Sequence, residues 1–421
     1  MKSKPYRAVD VNRLDMDDLC QQHPKQAVHV GLDIGKELIY CVLRWARQDY
    51  DRPWKVKNPF DIRLLAQQLK QLGQDREMII ALEPTGTYGD PLRDQLRRME
   101  LPVHRVSPVA SARHAETFDG VPSQHDGKDA AVIADLASQG RSWLWPQNPA
   151  SPLEAELAYL VDKCDLARRQ KLVHLGRLEG LLARHWPEAT RHLPLGRATL
   201  LRCLHRYGGP AALAADTAGA QRLQRWGRAR LAAAKAQALF ASAKETVGVE
   251  QGAWETLKIQ DAAGAALGYR ETIRQCERRL GQLAIAHPIL QAQAEVVGLT
   301  TSCVLWVHLG DPRHYDCGCS YRKAMGLNLA EHSSGKWKGQ LHITKRGASA
   351  VRRWLYFSAL RWVQREPIQR WYEQQQVQHR GQKKVVIVAL MRKLALAAYQ
   401  VGGRGQSFCA DRLVELSQAS Q

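Results

Sequence analysis

Four carboxylates stand at places in this sequence where an acidic side chain is unusual. Asp33 and Glu83 each end a short apolar run and are followed by turn residues. Buried strands rarely tolerate a charge, so an acid at the exit of a strand is usually placed there to bind something. Asp126 and Asp129 open a helical pattern, and their spacing puts both on one face of a helix.

Carboxylate oxygens are the ligands that Mg²⁺ and Mn²⁺ prefer, and a pair of such ions can flank a scissile phosphate. Single acids also cap helices or occupy surface turns, which is the alternative for Asp33, Glu83 and Asp126. Acids at the ends of two strands and at the start of one helix favour the metal site over these alternatives. Asp135 is the nearest alternative candidate for the fourth metal ligand. We therefore predict that Asp33, Glu83, Asp126 and Asp129 are catalytic metal ligands for phosphodiester chemistry.

A second group of reactive and basic side chains follows Gly326 and Leu327. Ser333, Ser334 and Gly335 lie in a polar loop, where a serine can act as a nucleophile toward phosphorus. Basic residues nearby in the sequence could hold a phosphate and stabilise developing negative charge. They are Lys336, Lys338, Lys345, Arg346, Arg352 and Arg353. A Ser-Gly pair alone is typical of any loop, so these basic neighbours carry the prediction.

The acids need a scaffold, and the first part of the chain has the pattern of one. Apolar runs and helical spacing predict four strands and two helices between residues 27 and 106. The strands are expected at 28–33, 38–43, 77–83 and 103–106, and the helices at 60–72 and 90–99. Strands and helices that alternate after an initial hairpin indicate a mixed sheet with helices on its faces, as in an RNase H-like domain. We assign residues 27–150 to this α/β domain.

The remaining sequence is predicted to be helical, so the expected fold class is α/β plus all-α. Residues 1–26 are expected to form a flexible tail, and residues 290–421 a mainly helical C-terminal domain. Residues 151–289 carry two apolar seams with coiled-coil spacing, which can pair within one chain or between subunits. We expect an assembly region with its seams paired between subunits. The seams are Leu153, Leu157, Leu160, Cys164 and Ala167, and Ile273, Cys276, Leu280 and Leu283.

The charge balance points to a polyanionic partner. Lys and Arg number 61 against 41 Asp and Glu, which gives a formal net charge of +20 over 421 residues. Such a charge attracts nucleic acid. A membrane surface is a weaker explanation, because the basic residues are spread along the chain and no long uninterrupted apolar segment is evident. Nine cysteines without framework spacing fit a reducing compartment, so we expect a cytoplasmic, nucleoid-associated protein.

Several of these motifs occur together, in order, in one known family. The chain has Val30-Gly-Leu-Asp33-Ile-Gly-Lys36, Glu83-Pro-Thr-Gly-Thr-Tyr88, Asp126-Gly-Lys-Asp129-Ala130, Ser333-Ser-Gly335 after Gly326-Leu327, and Ile343-Thr-Lys-Arg-Gly347. It thereby resembles the DEDD-type insertion-sequence transposases of the IS110 family, which are described as bridge-RNA-guided serine recombinases. The similar regions are roughly 27–141 and 290–408, and the middle resembles the family in composition only.

The resemblance implies more than the residues alone predict. Asp33, Glu83, Asp126 and Asp129 would be the metal-binding acids of a RuvC-like, Holliday-resolvase-like domain, and Ser334 the nucleophile of a C-terminal transposase domain. The family also implies double-stranded DNA as substrate, a structured guide RNA, and a homo-oligomer, dimer or tetramer.

Three other functions stay open at this point. A site-specific DNA invertase of the same family would carry the same two groups of residues. A RuvC-like junction nuclease would hydrolyse DNA with the acids alone, so Ser334 would be dispensable. A non-catalytic nucleic-acid-binding protein would explain the charge but not the four ordered acids.

Overall fold

The computed structural model describes residues 7–46, 49–84, 86–120, 125–145, 151–331 and 341–415. These residues belong to two compact units, Met1–Pro149 and Ala150–Gln421. The division falls next to the expected boundary at residue 150. Each unit is described by itself below.

The first unit is built on a mixed seven-stranded sheet, as the alternating pattern predicts. Its elements are β1 (Val9–Asp10), α1 (Met16–Gln22), β2 (Val28–Ile34), β3 (Leu38–Trp45), β4 (Trp54–Lys57), α2 (Ile62–Leu72), β5 (Met78–Leu82), α3 (Asp90–Arg98), β6 (Val103–Val106), α4 (Pro108–Ala115), α5 (Asp126–Ser138) and β7 (Ser142–Leu144). The strand order is β1-β4-β3-β2-β5-β6-β7. Strands β2, β5 and β6 run parallel, while β3 is antiparallel to both β2 and β4.

Alternating side chains of the central strands pack on opposite faces of this sheet. Val30 and Leu32 of β2 belong to one core with the apolar residues of α2 and α3. Ala81 of β5 and Val42 of β3 face the other way and pack with apolar residues of α5. The side chain of Asp33, the next residue after Leu32, therefore lies on the α5 face of the sheet.

The predicted flexible tail is wrong for residues 7–26. They form β1, a 3₁₀ turn at Val11–Arg13 and α1, whose N-cap Asp15 accepts hydrogen bonds from two backbone N–H groups. Val11 and Met16 are buried in the core under α2. Two apolar side chains were too few to give a periodic signal, and packing against the rest of the unit orders the segment.

The second unit is mainly helical, as predicted, with one two-stranded ribbon. Its elements are α6 (Pro152–His185), α7 (Ala189–His192), α8 (Ala198–Tyr207), α9 (Pro210–Ala215), α10 (Gly219–Gly227), α11 (Ala233–Lys244), α12 (Ala253–Ala286), α13 (Pro288–Val297), α14 (Leu299–Leu309), α15 (Gly318–Ala324), β8 (Leu329–Ala330), β9 (His342–Ile343), α16 (Ser349–Trp362), α17 (Ile368–Gln378), α18 (Lys383–Arg404) and α19 (Ala410–Glu415). Strands β8 and β9 pair antiparallel.

The two apolar seams lie on α6 and α12 and pack into one core of this single chain. Ion pairs join the same helices: Arg279 Nε lies 2.6 Å from Glu156 Oε1, and Arg168 pairs with Glu277. The expectation that the seams pair between subunits is therefore corrected, because each seam is already covered by the other. The spacing in the sequence is the same for both arrangements and could not distinguish them.

The cores of this unit cross the boundary predicted at residues 289 and 290. Leu280 of α12 shares one core with Leu305 of α14 and Leu390 of α18. A separate core lies at the far end of α6 and the beginning of α12, where α7 to α11 gather around residues such as Leu182 and Leu204. The unit thus contains a small helical head beside a larger body.

Helix α18 is long and apolar enough to cross a membrane by length and composition, contrary to the expectation that no such segment is evident. Of its most apolar window, 61% is buried inside this unit. Buried residues include Leu390, Leu394 and Ala398, which pack in the core described above. This burial is typical of the core helix of a soluble protein.

Candidate functional site

Strand register brings the first two acids together. In the parallel pair of β2 and β5, Leu32 lies opposite Leu82. Asp33 is the next residue of β2, and Glu83 directly follows β5, so both lie at the carboxyl edge of the sheet, where adjacent strands are about 5 Å apart. The side chain of Asp33 takes the face that α5 covers, because Leu32 packs on the opposite one.

A glycine allows α5 to approach this edge. A Cβ atom built on Gly31 would lie 2.0 Å from the carbonyl oxygen of Ala130 and 2.5 Å from the amide nitrogen of Ala134. No residue with a side chain fits there without moving the helix away from β2. The contact fixes the first turn of α5, and with it Asp126 and Asp129, beside the end of β2.

Three of the four predicted acids converge. Carboxylate oxygens of Asp33, Asp126 and Asp129 all lie within 4.8 Å of one another. Glu83 is not one of these three, but its charge acts on Asp33. Asp33 and Asp129 are half-buried, whereas Asp126 is exposed.

The acids perturb one another in the absence of a cation. Burial, followed by the charges of Asp129, Asp126 and Glu83, raises the pKa of Asp33 from 3.8 to about 6. Burial and the charge of Asp126 also raise the pKa of Asp129, against the opposing charges of Lys128 and His125. Such a cluster of hard oxygen donors fits Mg²⁺ or Mn²⁺, since a divalent cation would relieve the repulsion.

Three further side chains, which the sequence pattern did not indicate, lie around these acids. Tyr40 of β3 pairs with Asp33 across the hairpin, and burial and then the charges of Asp126 and Asp33 raise the pKa of its phenol. His125 caps α5 by accepting a hydrogen bond from the N–H of Gly127. Lys128 is only 1% exposed and its Nζ lies 2.7 Å from Asp119 Oδ1. Counting the register of the predicted hairpin across its turn would have found Tyr40.

Asp135, the competitor for the fourth position, has other partners. Its Oδ1 lies 2.9 Å from Arg44 Nε and accepts from the Tyr50 hydroxyl at 3.0 Å. Its Oδ2 lies 2.6 Å from His114 Nε2. The carboxylate joins β3, α4 and α5, so its role is structural.

The second predicted group is only partly described. Ser333, Ser334, Gly335, Lys336 and Lys338 lie outside the described residues. The ribbon of β8 and β9 flanks that segment. Lys345 and Arg346, directly after the ribbon, are exposed.

The two remaining basic residues of this group have partners inside the unit. Arg352 Nη1 donates to the carbonyl oxygens of Gly347 at 2.8 Å and Met325 at 3.2 Å, which joins the two chain segments that lead to the ribbon. Burial lowers the pKa of its guanidinium. Arg353 pairs with Asp165 of α6. Lys345 and Arg346 are therefore better placed than Arg352 and Arg353 to contact a phosphate.

Two family models and one known protein match this chain in sequence. Residues 30–187 match the DEDD transposase family of IS110, and residues 292–374 match the family described as transposase IS116/IS110/IS902. The "Insertion element IS110 uncharacterized 43.6 kDa protein" of Streptomyces coelicolor is 30% identical over 294 residues, which cover 68% of this chain and 71% of that relative.

The chain belongs to the IS110 family of transposases. The first match contains all four acids, and the second contains Ser334 and the basic residues around it. Membership in the family supports a soluble, DNA-binding transposase that depends on a divalent metal ion. Residues 188–291 of this transposase lie between the two matches.

Proposed function

We propose that this IS110-family transposase cuts and rejoins DNA through a phosphoserine link formed by Ser334. In this proposal Asp33, Glu83, Asp126 and Asp129 hold Mg²⁺ or Mn²⁺ beside the scissile phosphate. The convergence of three acids at the end of β2, with Glu83 directly after the neighbouring strand, is the observation that carries the proposal. The hairpin followed by parallel strands also supports a RuvC-like domain.

The chemistry exchanges one phosphate ester for another. The Ser334 hydroxyl oxygen forms a bond to phosphorus as the bond from phosphorus to a deoxyribose oxygen breaks, and the leaving deoxyribose oxygen takes up a proton to replace the one that the serine loses. The reverse attack by a deoxyribose hydroxyl rejoins the strands without an external energy source. When bound, the metal would neutralise phosphate charge and orient the phosphate. Lys345 and Arg346 are proposed to bind the flanking phosphates.

Nucleic acids and further copies of the chain complete the proposal. The family resemblance implies a structured guide RNA that pairs with target and donor DNA. The net charge of +20 supports binding to both polyanions. Exchange between two DNA duplexes needs several active sites at once, so a dimer or tetramer is proposed, in the cytoplasm and associated with the nucleoid.

Trapping the covalent intermediate tests the serine. With labelled donor and target DNA, guide RNA and Mg²⁺, the Ser334→Ala variant is expected to form no covalent protein–DNA species and no recombinant product. The Ser333→Ala variant is the matched control and is expected to keep both. Mapping the labelled peptide of the wild-type protein identifies the attached residue.

The outcomes separate the alternative functions. Recombination at the wild-type level by Ser334→Ala refutes this assignment. DNA cleavage by a variant with alanine at both serines, without a covalent species, would indicate a RuvC-like nuclease. Products with an inverted internal segment, in place of inserted DNA, would indicate an invertase of the same family.

A further inference from the structure

The helical head of the second unit has an unusual charge. Here the head is residues 189–244, which contain α7 to α11. They carry ten Lys and Arg but one acid, Asp216. That acid already pairs with Arg222, whose Nε lies 3.1 Å from Asp216 Oδ2. Within the described part of the chain, no other cation of the head forms a salt bridge, so most of this positive charge is uncompensated.

The ends of α8 and α10 bring arginines of the head together at Tyr207. The Arg206 guanidinium lies 5.6 Å from the centre of the Tyr207 ring. The Tyr207 hydroxyl donates to Asp216, the partner of Arg222, and its ring centre lies 6.4 Å from that of Trp226. Arginines from two helices thus meet around one buried aromatic side chain.

Neighbouring positions extend this group. Arg202 lies one turn before Arg206 on α8, and Arg225 lies three residues after Arg222 on α10, so each pair shares a helix face. Arg228 follows α10 with φ 51° and ψ −150°, a backbone conformation that non-glycine residues rarely adopt. We call this set the arginine face: Arg202, Arg206, Arg222, Arg225 and Arg228.

The chemistry of the arginine face fits a phosphate backbone. Guanidinium groups bind phosphates through paired N–H donors, and clustered cations repel one another unless a polyanion lies between them. A membrane surface would need apolar side chains to insert beside the cations. Within the described residues 189–244, no large hydrophobic side chain is exposed.

We propose that the arginine face binds the phosphate backbone of the nucleic acid on which this transposase acts. The head is then a nucleic-acid-binding module between α6 and α12. The inference rests on the proposed function for the presence of nucleic acid, but it does not depend on the serine or on the acids.

Binding measurements on the full chain test this proposal. A labelled DNA duplex and a labelled RNA hairpin are titrated in EDTA, which prevents turnover, at several salt concentrations. The triple variant R202Q/R206Q/R225Q removes three exposed arginines and leaves the Arg222–Asp216 pair intact. The control R169Q/R274Q/R278Q removes the same charge from exposed positions on α6 and α12.

If three phosphate contacts are lost, the slope of log K against log salt falls in magnitude by about 3 for at least one probe. The control is expected to change the slope much less. The probe that responds, DNA or RNA, identifies the source of the phosphates. A triple lysine variant, R202K/R206K/R225K, keeps the charge and is expected to keep most of the slope, which separates loss of charge from misfolding.

Three results would overturn the proposal. Unchanged binding by the glutamine triple variant would exclude the arginine face, and an equal loss in the control would attribute binding to bulk charge. Stronger binding to anionic phospholipid vesicles than to either nucleic acid, lost in the triple variant, would make the face a membrane site. Failure of the wild-type protein to bind nucleic acid at low salt would instead remove the proposed function itself.

Discussion

Replacing Asp33 with asparagine should stabilise the metal-free first unit at neutral pH. The neutral amide has nearly the shape of the carboxylate but lacks the charge that burial, Asp129, Asp126 and Glu83 oppose. The raised pKa of Asp33 means that the folded protein holds this proton more tightly than the unfolded chain does. Ionisation therefore opposes folding. The opposition is absent below about pH 4, grows as the pH rises toward 6 and is complete above it.

The size of the stability difference follows from the raised pKa of Asp33. A pKa moved from 3.8 to about 6 corresponds to a limit of about 3 kcal/mol, at roughly 1.4 kcal/mol for each unit. Asp33 is only partly buried, and solvent screening reduces this to about 1–2 kcal/mol. At pH 8 the Asp33→Asn variant should be more stable than the wild type by that amount, and at pH 4 the difference should vanish.

Urea unfolding in EDTA measures the difference in unfolding free energy between the variant and the wild type at each pH. Hydrogen exchange of the β2 and α5 amides reports on the first unit. Adding Mg²⁺ should stabilise the wild type and have little effect on the variant, since binding to the folded state adds to its stability. The Asp135→Asn control should be destabilised instead, because Arg44 and His114 lose a charged partner. Equal pH dependence of stability in the wild type and Asp33→Asn would refute the reasoning.

Two further predictions concern backbone contacts. Gly31→Ala should destabilise the first unit by about 3 kcal/mol and weaken Mn²⁺ binding measured by calorimetry, because its Cβ would displace α5. The control Gly176→Ala, with open space around its Cβ, should stabilise α6 by up to about 1 kcal/mol; an equal effect of both would exclude the close approach. Arg352→Ala should speed hydrogen exchange of the Thr344 and Lys345 amides about tenfold, since two hydrogen bonds beside the ribbon are lost. Unchanged exchange would show that Arg352 does not hold the ribbon.

The main elements of the first unit could be predicted because their signals are local. The apolar runs that became β2, β3, β5 and β6 are bounded by turn residues, and α2 and α3 have clear helical spacing. Strand β4 was missed, since it spans only four residues and alternates buried Trp54 and Val56 with exposed lysines. Helix α4 was missed too; it is short and buries only Ser111. Short elements of this kind depend on packing against the rest of the sheet.

Some residues of the candidate site could likewise be predicted from local sequence signals, and others could not. Asp33, Asp126 and Asp129 could be identified from the sequence because each stands at the end or beginning of a strong periodic segment. Tyr40 could not be identified from a motif, because its place opposite Asp33 follows only from counting the register across the hairpin. Lys128 could not either, since a lysine between two acids of a helix is ordinarily exposed, and its burial depends on Asp119.

Helix α5 carries an acid with a structural role, Asp135, and two acids of the proposed metal site, Asp126 and Asp129. Their surroundings explain the difference. Asp135 has Arg44, His114 and the Tyr50 hydroxyl as partners, so its charge is balanced within the unit. Asp129 lies instead beside Asp126 and Asp33, and the charges of Lys128 and His125 act against this repulsion. An acid with cationic partners gains little from a metal ion. Acids held together by β2, Gly31 and the first turn of α5 have a net repulsion that an added divalent cation removes, which is why the metal is proposed there and not at Asp135.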